Sequence, residues 1–115
     1  MARYRLVVLS NAVKGREDEY NNWYTHQHLD EVVAVPGFAT ALRMKLLQPV
    51  AGEYEHKYLA IYDIDADNPD DAIEALKDTA SSTMFISEAL DLDTIKCAVF
   101  EVCSPEIAAK ETAPA

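Results

Sequence analysis

Two periodicities alternate along the chain. Residues 3–11, RYRLVVLSN, combine β-branched and aromatic residues in partial alternation and predict a first strand, with Leu6 and Val8 on one face and Val7 and Leu9 on the other. Residues 16–35 change to a helical period. Tyr20, Tyr24 and His28 form one stripe at four-residue spacing, with Trp23 and Gln27 beside it, and Leu29, Val32 and Val33 continue an apolar face. The run Glu17-Asp18-Glu19 suits the positive end of that helix's dipole, and Pro36-Gly37 stops it. The helix is long to lie unbroken on a small sheet, so a kink or restart is expected near Thr25-His26.

Period two returns over residues 38–48 and 56–65, joined by a Pro- and Gly-containing turn. In the second strand Phe38, Thr40, Leu42, Met44 and Leu46 are expected to share a face, opposite Ala39, Ala41, Arg43, Lys45 and Leu47. In the third, His56, Tyr58, Ala60, Tyr62 and Ile64 oppose Lys57, Leu59, Ile61, Asp63 and Asp65. Asp67 or Asn68 then caps a second helix, with Pro69 in its first turn and Ala72, Ile73, Leu76 and Ala80 as its buried stripe. Ser81-Ser82 interrupts it. An irregular or short helical segment follows around Phe85, Ile86, Ala89 and Leu90, and residues 94–103 form a fourth strand, apolar on both faces.

The order β-α-β-β-α-β predicts an α+β, ferredoxin-like domain over residues 1–104, with a four-stranded antiparallel sheet. Right-handed crossovers place both helices on one side of it. The other face also carries apolar residues, and no element is left to cover it. A second copy of the chain is the expected cover, giving a homodimer through the sheet faces, a dimeric α+β barrel. Residues 105–115 lack apolar periodicity and read as a flexible tail.

Charge and cysteine content narrow the partners. A net charge of −10 over 115 residues argues against nucleic acid and anionic membrane surfaces. No stretch approaches the roughly 20 apolar residues of a membrane span, and the N-terminus lacks a secretory pattern. Cys97 and Cys103 share a predicted strand face but stand roughly 20 Å apart, too far for a disulfide. Free thiols fit a cytoplasmic location.

The chemistry-bearing residues gather on the first helix. His28 titrates near neutrality and shares its face with Tyr24, which fits a general acid/base in a pocket wall; a helix His that only satisfies packing is the bland alternative. His26 faces elsewhere. The H-x-H pair does not converge on a helix and no Cys or carboxylate cluster joins it, so no metal is expected. Tyr20, Trp23 and Tyr24 form either a core stripe or a substrate cradle, and Tyr62 adds a phenol from the sheet. Arg43, mid-strand, fits a carboxylate, enolate or phenolate, or else an ion pair. Ser87 is a pocket hydroxyl or a turn cap, and Asn11 reaches the pocket mouth or makes a turn. No Gly-rich phosphate loop is present.

The run Trp23-Tyr24-Thr25-His26-Gln27-His28-Leu29, followed by Val35-Pro36-Gly37-Phe38, resembles the W-Y-x-x-x-H-L…V-P-G-F pattern of EthD-like dimeric α+β barrel proteins. Tyr58–Ile64 and Ser87–Asp91 are also similar to that group, so the resemblance covers roughly residues 4–102. It implies the fold, and it implies a range of chemistries: cyclases, dehydratases, isomerases, cofactor-free monooxygenases and haem binders. His28 falls on the family's His. The expectation is a cofactor-independent enzyme on a small apolar oxygenated or aromatic substrate. His28 acts as acid/base, Tyr24 and Arg43 assist, and Tyr20, Trp23, Tyr62, Ser87 and Asn11 bind substrate. Alternatives are a cofactor-free monooxygenase and a non-catalytic binding protein. A haem role has less support, because the haem-degrading members carry their His and Trp elsewhere in the fold.

Overall fold

The computed structural model describes residues 3–110. Four strands, β1 (Tyr4–Ser10), β2 (Phe38–Lys45), β3 (Tyr58–Ile64) and β4 (Lys96–Glu101), form one antiparallel sheet in the order β2-β3-β1-β4. The helical stretch between β1 and β2 has three parts: α1 (Glu17–Trp23), a π-helical turn (Tyr24–His28) and α2 (Leu29–Val33). Helix α3 (Pro69–Ser82) lies between β3 and β4. This is the ferredoxin-like arrangement.

Alternation on the central strands sets the core. Leu6, Val8 and Ser10 of β1 and Tyr58, Ala60, Tyr62 and Ile64 of β3 are buried on one face, where Tyr20, Trp23, Tyr24 and Val32 of the helical stretch pack. Asn68 caps α3 by accepting the Asp70 N–H at 3.0 Å, with Pro69 first in the helix, worth about 1 kcal/mol for such a cap. Between α2 and β2, Gly37 adopts φ +97°, and a Cβ there would stand 2.7 Å from that of Ala72. Only glycine allows both that turn and that closeness to α3.

Several details depart from the sequence reading. Strand β2 is not a continuous alternation, because the register shifts between Phe38 and Thr40. Phe38 pairs with Ile64, but Ala41 then pairs with Tyr62 and Arg43 with Ala60. The extra residue, Ala39, turns Arg43 to the helix side with Phe38 and leaves Thr40, Leu42 and Met44 on the open face. β4 ends at Glu101, so Cys103 lies beyond it. Around the segment after α3, Phe85 is 58% exposed, while Ala89 and Leu90 are buried. In agreement with the sequence reading, the segment after α3 is irregular, pinned by an isolated bridge from Ala12 to Leu90. Residues 105–110 have no regular structure; the remainder of the expected tail, residues 111–115, lies outside the described residues.

Candidate functional site

The helical stretch is continuous but not uniformly α. The Leu29 N–H bonds the Tyr24 carbonyl, five residues back, which defines the π turn. In an α-helix residues five apart point about 140° away from each other. The wider turn brings Trp23 and His28 together: their rings stack with centroids 4.5 Å apart and planes 24° from parallel. The Tyr24 ring meets His28 edge-on at 4.9 Å. The irregularity expected near Thr25-His26 is therefore the device that turns His28 onto its aromatic neighbours.

Between this stretch, α3, the segment around residues 84–95 and the helix-side face of β1, β3 and β4 lies a cavity of about 320 Å³. Tyr24, His28 and Tyr62 line it amid an apolar wall that includes Leu6, Val32, Leu76 and Ile86. The Tyr62 hydroxyl donates to the Tyr24 hydroxyl at 3.0 Å, so the Tyr24 proton remains available for a further acceptor. Burial raises both phenols well above their ordinary range, so both stay protonated at neutral pH. Burial pushes the His28 imidazole below its ordinary value, while the Glu31 carboxylate pulls the other way. His28 is thus poised as a neutral base at neutral pH.

Arg43 stands behind this group and does not line the cavity. Its guanidinium lies 4.6 Å from the centroid of Tyr24, 5.1 Å from Tyr58 and 5.2 Å from Tyr20, a cage of three rings. It donates to Asn21 Oδ1 at 2.9 Å and Thr25 Oγ1 at 2.7 Å. Asn21 donates to the Tyr58 hydroxyl, which in turn donates to Glu17. The cation therefore presses on the back of Tyr24 and does not reach a ligand in the cavity.

The remaining candidates are held by the fold. Tyr20 is fully buried, its hydroxyl sharing a 2.6 Å hydrogen bond with Ser10. Trp23 donates its indole N–H to the Phe85 carbonyl at 3.1 Å and touches the site through the His28 stack. Ser87 Oγ accepts the Ala89 N–H, capping its turn. Asn11 ties two loops together, donating to the Glu55 carbonyl and accepting the Lys57 N–H. None of these four lines the cavity. His26 is exposed, and His56 is half-buried with Nε2 2.6 Å from the Thr94 carbonyl. Glu31, Lys77 and Cys97 were not singled out as site residues by sequence reasoning; the last two line the cavity and Glu31 approaches His28. A carboxylate three residues after a helical His is a visible signal for the first. The others needed the cavity itself.

No protein-family model matches the chain, and no curated protein matches it. Solved structures do. The At3g17210 protein of Arabidopsis thaliana superposes with a TM-score of 0.67 at 11% identity, over 90% of this chain and 99% of that one. An EthD family protein of Bacillus halodurans gives 0.60 at 13% identity, over 88% and 99%. The ferredoxin-like fold is shared with both. The heme-degrader MhuD of Mycobacterium tuberculosis, solved with two hemes in its active site, gives 0.59 at 19% identity, over 90% and 98%. Likeness at these identities carries the fold and leaves the chemistry to the site.

Proposed function

We propose that this chain is a cofactor-independent enzyme that moves a proton on a small, largely apolar, oxygenated or aromatic substrate, in a dehydration, cyclisation or isomerisation. The observation that supports this most is the convergence of His28, Tyr24 and Tyr62 on one apolar cavity. Neutral His28 takes the proton from a carbon beside a carbonyl. The C–H electron pair moves into the carbonyl, and the developing oxyanion accepts the Tyr24 hydroxyl, backed by the Tyr62 bond. The imidazolium then returns the proton, to carbon in an isomerisation or to a departing hydroxide in a dehydration. Arg43, caged against the Tyr24 ring, favours negative charge near that phenol.

The open face of the sheet supports a separate reading, at the level of assembly. Leu42 and Phe100 are 59% and 57% exposed there, beside Met44, Val7, Leu59 and Ile61. We infer that two copies pair through these faces, since a monomer would leave a contiguous apolar patch in water.

The test is hydrogen–deuterium exchange. A panel of small aryl and alkyl ketones is screened for binding by ligand-observed NMR, and binders are incubated with the protein in D₂O. Exchange beside the carbonyl should be accelerated, with a loss of on the order of a hundredfold in His28→Ala. Binding without accelerated exchange favours a non-catalytic binding protein.

A further inference from the structure

Glu31 has no place in the chemistry above, yet it meets His28 where the π turn passes into α2. Its Oε1 lies 3.7 Å from His28 Nδ1. Both atoms are closed off from solvent, and neither has a hydrogen-bond partner among the described residues. Two buried polar atoms without partners, 3.7 Å apart, carry a desolvation cost that a hydrogen bond between them would offset. His28 keeps 13% of its side chain exposed, and with Nδ1 sealed that exposure belongs to the rest of the ring, which also lines the cavity. The ring's second nitrogen, Nε2, is therefore the one left to meet a ligand.

We propose that Glu31 is the positioning residue of His28, accepting Nδ1–H so that the neutral imidazole presents an unprotonated Nε2 to the cavity. A carboxylate on one ring nitrogen fixes the tautomer and steadies the imidazolium when the other nitrogen takes a proton. The remaining ionisable groups near the ring or its cavity are Tyr24 on the same helical stretch, Tyr62 from β3, Lys77 from α3 and Cys97 from β4. None is a carboxylate, so Glu31 is the group among them suited to the task. The catalytic consequence rests on the base role proposed above; the tautomer does not.

The experiment is long-range ¹H–¹⁵N NMR of the histidine rings in the full chain, titrated with pH, with His28 assigned by comparison with His28→Gln. The neutral ring is expected to carry its proton on Nδ1. In Glu31→Gln the amide oxygen still accepts, so the tautomer is retained, but the pKa of His28 falls because the negative charge is gone. In Glu31→Ala the tautomer shifts toward Nε2–H. A wild-type ring protonated on Nε2, or a titration unchanged in the isosteric Glu31→Gln, overturns the proposal. No substrate is needed, so an intact Glu31–His28 pair without ketone exchange would defeat the enzyme reading alone.

Discussion

His28 and the two phenols owe their character to burial more than to their neighbours. Tyr24 and Tyr62 are held protonated by removal from water, and each supplies the other's partner. Burial also lowers the folded-state pKa of His28, so the unfolded chain binds that proton more readily. The contribution to stability is full above the ordinary value near 6.5 and is lost as pH falls below it. His28→Gln should remove this loss. Urea unfolding at about pH 7.5 and about pH 5 should then show a smaller drop in stability for His28→Gln than for the parent. An equal drop would mean that His28 is not buried neutral.

Two local irregularities do the work of positioning at the level of elements. The π turn puts Trp23 and His28 in a stack that regular α geometry separates, and the register shift in β2 carries Arg43 to the helix side. Beside them, Gly37 between α2 and β2 lies close against Ala72 of α3. Gly37→Ala forces a side chain into left-handed backbone and against Ala72. It should cost roughly 1–3 kcal/mol, read as a lower urea midpoint at unchanged slope. The neutral outcome would show that this junction yields easily and does not hold the helices in place.

One sheet face is covered over β1 and β3, and the other is bare. Helices shield the cavity side, while Leu42, Met44 and Phe100 of the opposite face meet water. Light scattering at micromolar concentration should give twice the chain mass, and Leu42→Asp, which buries a carboxylate at the seam, should return the mass to that of one chain. A parent protein that is already monomeric would defeat sheet-to-sheet pairing. Among the described residues no helix is long and apolar enough to cross a membrane.

Element order and type were legible in the chain because they rest on local signals. The alternation of Tyr58, Ala60, Tyr62 and Ile64, the Asn68-Pro69 helix start and the Pro36-Gly37 stop each depend on residues adjacent in sequence. The face shared by Tyr24 and His28 was legible for the same reason. What the sequence alone could not assign was decided between elements. Whether Tyr20 lines a cavity or bonds Ser10 depends on how far the helical stretch sinks onto β1. Whether Arg43 reaches a ligand or a tyrosine cage depends on a one-residue shift that no alternation predicts. The cavity wall draws on β1, the helical stretch, β3, α3 and β4, segments brought together only by packing. Periodicity determines which side of an element turns inward; the distance and register between elements determine which inward side chains meet, and those are tertiary quantities.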